Sequence, residues 1–327
     1  MRLDYLDGWR GIAIIVVLLG HFAPGIPQAG ALGVDLFFVL SGRLMAKILI
    51  RDRYPLSDFF VRRFSRVYPA LFVLATVMLI FSIIGRALGK HYNSLITNID
   101  YVSALTFWLN YKVAFIGEAG ALSHIWSLCV EEHSYIILAF MAAVASRSEK
   151  VGGVAFLIAA AAVLNGFLLS QHGGTEHQIF WRTDVRLAPL FFSFAFYLAS
   201  DRAKRVMSAL CLPAFVIGCI LPFTEFPMAI QVAATAVLLA LSVNGLDGAA
   251  DTIRRVLEHR PLRYIGIISY SLYLWQQPFF TMHERISSAL LLPAVVVCAL
   301  ASYYLVENPA RAYINEHWSK RRRAKVK

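Results

Sequence analysis

Leu6–Pro24 reads LDGWRGIAIIVVLLGHFAP, an apolar stretch with an arginine, Arg10, near one end and a histidine, His21, near the other. Ionisable groups at membrane depth are costly, so they usually pair with each other, face a cavity or do chemistry. Residues 10 and 21 are three helical turns apart at about 100° per residue. Both side chains therefore share one helix face, about 16 Å apart along the axis. The stretch predicts a membrane-spanning helix with a cation towards one leaflet and an imidazole towards the other.

The composition of the 327-residue chain sets the solvent for everything else. Hydrophobic residues make up 58% of the sequence, mean hydropathy is +0.62, and apolar runs long enough to cross a bilayer recur throughout. Segments such as LFVLATVMLIFSII (71–84) and VGGVAFLIAAAAVL (151–164) lack the polar face of a water-soluble helix. Barrel strands would alternate strictly, and these do not. An all-α polytopic bundle is expected, with about ten spans near 9–24, 31–50, 69–85, 125–145, 152–170, 187–200, 206–222, 227–243, 264–281 and 288–306. A transmembrane domain over 1–310 would be followed by a basic cytoplasmic tail over 311–327. With both termini in the cytoplasm, most of the 31 Lys and Arg fall on the inner side, as the positive-inside rule asks.

The net charge of +11 is scattered over inner loops and the tail SKRRRAKVK. It points to anionic lipid and topology and away from nucleic acid. Asp4 and Asp7 at the start of the first apolar run argue for a retained span over a cleaved signal peptide. Cys129, Cys211, Cys219 and Cys298 lie in predicted spans without CxxC spacing and read as core residues. Metal motifs, phosphate-cradling glycine loops and GxSxG elbows are absent from the sequence. The chemistry must therefore sit among the helices.

Three further groups of ionisable residues point to it. In GVDLFFVLSGRLMAKIL (33–49), Asp35 lies near the external end of the second span, as His21 does in the first. A carboxylate there is expected to orient the imidazole, although a simple structural cap is the competing role. In DFFVRRFSRVYPALFV (58–73), a helical start brings Arg62, Arg63 and Arg66 together at i,i+3 and i,i+4 spacing. Such a cluster suits phosphates, and it also serves topology. In the fourth span, Glu131 and Glu132 are adjacent and point about 100° apart, so only one need face the interior as a proton donor or acceptor. His124 and His133 read as interfacial residues, and Trp108, Tyr111 and Trp181 as sugar-stacking or belt aromatics.

The ordered stretches LDGWRGIAIIVVLLGH, GVDLFFVLSG, RRFSRVYP, WSLCVEEHSY, SYSLYLWQQP and ENPAR resemble the acyltransferase-3 family of bacterial integral-membrane acyltransferases. The resemblance covers most of the chain. It implies transfer of a short acyl group, acetyl above all, from cytoplasmic acyl-coenzyme A to a sugar hydroxyl, with no permanently bound cofactor or metal. The acceptor would be a surface or secreted polysaccharide, or its lipid-linked precursor, and the location the bacterial inner membrane. By the same resemblance His21 matches the family's essential histidine and Arg10 its partner arginine. Arg63 and Arg66, with Arg62 beside them, match the basic motif, and Asp35, Glu131 and Glu132 fall on motif positions.

The chain departs from the family pattern twice. Gln276 stands where a histidine is common, so no second base is expected there. Arg43 replaces the usual aromatic or aliphatic residue after SG and is expected to add charge to the donor path or to meet an acid. The chain also stops soon after the tenth span, which leads one to expect a minimal acyltransferase of exopolysaccharide or lipopolysaccharide decoration. Direct transfer and an acyl-histidine intermediate are both open from sequence. A transporter or flippase for lipid-linked sugars is the competing class, since intramembrane charges also describe carriers, and a small-molecule acceptor is another alternative.

Overall fold

The computed structural model describes residues 4–90, 92–246 and 251–326, and among these no strand occurs. α1 (Asp4–Phe22) and α2 (Gln28–Met45) form an antiparallel hairpin, and α3 (Leu56–Ala87) follows. α4 (Asn98–Leu105) and α5 (Leu109–Phe115) are short. α6 (Ile125–Val144) and α7 (Val151–Gln171) then lead to two more short helices, α8 (Glu176–Trp181) and α9 (Thr183–Arg186). The chain continues through α10 (Ala188–Ile220), α11 (Met228–Gly245), α12 (Asp251–Leu257), α13 (Arg260–Ile267), α14 (Ser269–Phe280), α15 (Ser288–Ser302) and α16 (Asn308–Val326).

Among the described residues seven helical stretches are long and apolar enough to cross a membrane. They are α1, α3, α6, α7, the second half of α10, α11, and the run from α15 into α16. Three more segments run alongside these inside the bundle. α2 and α14 run from cavity residues at one end, Met45 and Ser269, to cavity residues at the other, Gly30 and Phe280. The first half of α10 runs from the Arg186–Asp35 pair to Asp201, which meets Arg51.

α10 is one continuous helical run in hydrogen bonding but not one straight rod. Fourteen residues of straight helix would separate Ser193 from Met207 by about 21 Å. Yet Asn244 on α11 bonds the Ser193 backbone and hydroxyl, while the adjacent Gly245 packs against the Met207 carbonyl. The run therefore folds back, as the separate spans expected at 187–200 and 206–222 require.

Close packing at the centre depends on residues without side chains. A Cβ on Gly20 of α1 would fall 2.0 Å from the Gly30 nitrogen of α2, and one on Gly42 would fall 1.9 Å from the Leu190 carbonyl oxygen. Small residues let helix backbones approach where lipid supplies no hydrophobic drive between helices. The outer faces are apolar instead: Ile80, Ile83 and Ile84 on α3, Leu157 and Leu164 on α7 and Val297 on α15 are all exposed.

Arg43, whose role the sequence left open, is buried and ties helices together. Its guanidinium donates to Tyr5 Oη (2.9 Å), the Val243 carbonyl (3.3 Å) and Asn244 Oδ1 (3.4 Å), fastening α1, α2 and α11. At the same end of the bundle α16 packs back on α3, where Trp318 Nε1 donates to Asp58 Oδ1 at 2.8 Å.

Candidate active site

Two cavities lie end to end in the bundle. The first, about 370 Å³, contains Arg10, Arg62, Arg63 and Arg66 together with Ser41, Glu131 and Tyr135. The second, about 440 Å³, opens at the opposite end and contains His21, Gly30, His124, Trp181 and Phe280. Val34 of α2 and Tyr273 of α14 line both, so a single layer of side chains divides them. The helix face read from sequence is thus realised: Arg10 looks into one chamber and His21 into the other.

In the arginine cavity the three guanidiniums of α3 gather around one space but have different partners. Arg63 is held by two carboxylates, Nη2 to Glu131 Oε2 and Nε to Glu132 Oε1, both at 2.6 Å. Glu131 also accepts from the hydroxyls of Ser41 and Tyr135. Arg62 lies over the Tyr54 ring at 5.1 Å. Arg66 has two cations, Arg10 and Arg63, and one carboxylate, Glu307, within electrostatic reach. Glu307 is buried and accepts from Ser271 at 2.8 Å.

This arrangement corrects two expectations. Glu131 and Glu132 both engage the interior, and the wall they occupy belongs to the arginine cavity, away from His21. The reason is depth: α6 enters from the His21 end, and by its second turn it has descended to the level of Arg63 on α3. Arg63 in turn is held by two carboxylates and Arg10 by Asp7 at 3.1 Å, so among the described residues Arg62 and Arg66 are the cavity cations without a carboxylate in hydrogen-bond contact.

His21 is fixed by α14. Gln276 Oε1 accepts a hydrogen bond from His21 Nδ1, and the Phe280 ring stacks on the imidazole with centroids 4.4 Å apart. Gln276 and Phe280 are i,i+4, so one helix face supplies both contacts. A proton on Nδ1 leaves Nε2 as the basic nitrogen. A Cβ built on Gly30 would come 3.4 Å from Nε2, so the glycine keeps that nitrogen uncovered.

Asp35 does not orient His21, contrary to expectation. Its Oδ1 accepts from Arg186 Nη2 at 2.5 Å, and that guanidinium is fully buried, 4.2 Å from the Phe180 ring centroid. The cause is helical register. Gly30 is the α2 residue facing His21, and five residues further on the helix has turned by about 140°, which aims Asp35 at α9. Gln276 therefore takes the place expected of the carboxylate.

Three further residues went unassigned or underrated in the sequence. His124 is buried in the wall of the His21 chamber, and neither ring nitrogen has a hydrogen-bond partner among the described residues. Its own carbonyl accepts from the Tyr273 hydroxyl (2.8 Å), which also bonds Ser127 (2.6 Å). Tyr273 thereby holds its place between the two chambers. His133, by contrast, bonds Thr183 at 2.7 Å and ties α6 to α9. Of the aromatics named from sequence, Trp181 enters the His21 chamber, whereas Trp108 and Tyr111 stack on each other with centroids 4.8 Å apart.

The family model for the acyltransferase domain matches residues 3–306. The chain belongs to the acyltransferase-3 family. Among similar proteins, the putative peptidoglycan O-acetyltransferase YrhL of Bacillus subtilis is 28% identical, over 97% of this chain and 56% of its own length. The peptidoglycan O-acetyltransferase OatA of Listeria monocytogenes is 26% identical, over 94% of this chain and 55% of its own. The O-acetyltransferase OatA of Staphylococcus aureus gives 26% identity over 94% and 57%. This acyltransferase-3 chain spans about half the length of the curated relatives it matches. No solved structure gives a significant match.

The observed contacts make one test of the His21 setting immediate. Gln276→Leu in this acyltransferase-3 protein removes a hydrogen bond worth about 1 kcal/mol and frees the ring to rotate or change tautomer. Acyl transfer is expected to fall by about tenfold or more in kcat, with donor KM unchanged. An unaltered kcat would show that Gln276 only fills space.

Proposed function

We propose that the protein is a plasma-membrane O-acetyltransferase that moves an acetyl group from acetyl-coenzyme A to a hydroxyl of a cell-envelope polysaccharide. The observation that carries this reading is the pair of chambers, one cationic and one holding a basic imidazole, separated by a single side-chain layer. The arginine end carries Arg51, Arg147 and the basic α16, and under the positive-inside rule this charge supports a cytoplasmic placement, where coenzyme A is available. The names of the relatives point to peptidoglycan-type glycan as the acceptor class.

In this reading the phosphates of the donor rest on Arg62 and Arg66, with Arg10 deeper in the cavity. The pantetheine arm extends towards Tyr273 and presents the thioester to the second chamber. There Nε2 of His21 takes the proton of the acceptor hydroxyl, the oxygen attacks the thioester carbonyl, and the carbon–sulfur bond breaks. The imidazolium then returns the proton to the departing thiolate, so acyl-coenzyme A and alcohol become ester and free thiol. Holding the two reactants together supplies much of the acceleration.

Arg66 gives a clean test of the donor site. Two of its three charged neighbours are cations, so Arg66→Gln relieves repulsion and is expected to leave the thermal midpoint close to that of wild type. Losing a charge-assisted contact to phosphate is expected to raise the donor KM about tenfold or more. The experiment is thiol release and label transfer by purified protein given radiolabelled acetyl-coenzyme A and oligosaccharide. Acceptor-dependent release supports the reading. Sugar movement across vesicles without thiol release would identify a carrier.

A further inference from the structure

We propose that a third cavity, beside the His21 chamber, is a second saccharide subsite that holds the sugar adjacent to the one being acylated. The proposal rests on the glycan reading of the acceptor given above. The cavity measures about 330 Å³, within the usual range of small-ligand sites, and lies among α2, α8 and α11.

Three observations join it to the reaction chamber. Ala31, Phe180 and Trp181 line both spaces, so the end of α8 is a partition with one cavity on each side. Glu118 on the rim of the His21 chamber lies 3.8 Å from His177 Nε2 in the third cavity, which marks the two rims as neighbours. Trp181 is braced rather than loose: it stacks on Trp126 with centroids 5.8 Å apart and lies perpendicular to the His177 ring at 4.7 Å.

The lining has the chemistry of a sugar site. An indole offers a flat apolar face to the C–H side of a pyranose, and Gln28, Glu176 and Gln231 offer polar groups around it. Thr235 is the decisive residue. It is 1% exposed, it lines the cavity, and its hydroxyl has no hydrogen-bond partner among the described residues. A buried hydroxyl without a partner is costly, and a hydroxyl-rich ligand satisfies it. An acyl chain in the same space would leave it unsatisfied.

The test measures acceptor length. Purified protein is given acetyl-coenzyme A and either N-acetylglucosamine or its β-1,4-linked dimer. Wild type is expected to favour the dimer about fivefold or more in kcat/KM, as one or two added hydrogen bonds allow. Thr235→Val and, separately, Gln28→Ala are expected to flatten that preference while leaving transfer to the single sugar unchanged. Gln28 lies at the cavity mouth, so it guards against a folding defect at the buried threonine. Equal preference in wild type and both variants would overturn the subsite and leave the enzymatic reading standing. Defects confined to lipid-linked acceptors would assign the cavity to an acyl chain and overturn the proposal. Failure to acylate either acceptor would strike the glycan reading itself.

Discussion

His21→Ala is expected to lower acyl transfer by about 10³-fold or more while leaving the protein folded and able to bind donor. A positioned general base contributes roughly 10²–10⁴ in rate, and no second base stands at Gln276 to replace it. The imidazole makes one hydrogen bond and one ring stack, so its loss removes chemistry more than structure. Donor affinity should hold, because the arginines proposed to hold its phosphates lie in the other chamber. The same variant separates the two catalytic routes. Labelled acyl-protein trapped from wild type and absent from His21→Ala would replace the general-base route by an acyl-histidine. Full activity in the variant would remove His21 from the mechanism.

Arg63→Ala is expected to have the largest effect on stability. Glu131 and Glu132 would be left inside the bundle without their cation, and removing one partner of a buried ion pair typically costs about 3–5 kcal/mol. Against a total stability of roughly 5–15 kcal/mol, the variant should show a markedly lower thermal midpoint in detergent and poor yield. Adding Glu131→Gln and Glu132→Gln should recover much of the loss, since the uncompensated charges are then gone. Arg63→Lys should be intermediate, because an ammonium cannot reach two carboxylates in the geometry of a guanidinium fork. A midpoint equal to that of wild type in Arg63→Ala would mean that the network in the cavity wall carries no stability. The contrast with Arg66, three residues away, is the informative part: one arginine holds the protein and the other is available to a ligand.

These differences set the limit of what residue order could reveal. The spans were legible because apolar length and inner-side charge are local properties, and even the fold-back in α10 was marked by the polar break at SDRAKR. Arg10 and His21 were legible as a pair because they share one helix, where periodicity fixes direction. Asp35 was misread because a hairpin brings two helices together without fixing their rotation. The partner of Asp35, Arg186, lies 151 residues away in a segment that reads as an external loop, although an arginine opening the apolar run RLAPLFFSFAF was a usable signal. Gln276, 255 residues from His21, appeared only as a departure from a family motif. Glu131 and Glu132 were assigned to the wrong chamber because sequence gives the order of a helix but not its depth.

The relation between the chambers is tested most directly by sidedness. Protein reconstituted in vesicles with the arginine end outward is supplied with membrane-impermeant acetyl-coenzyme A outside and oligosaccharide acceptor sealed inside. Acetylation of the enclosed sugar, abolished by His21→Ala, is the expected result. Transfer only when donor and acceptor share one compartment would contradict the division of labour between the arginine cavity and the His21 chamber.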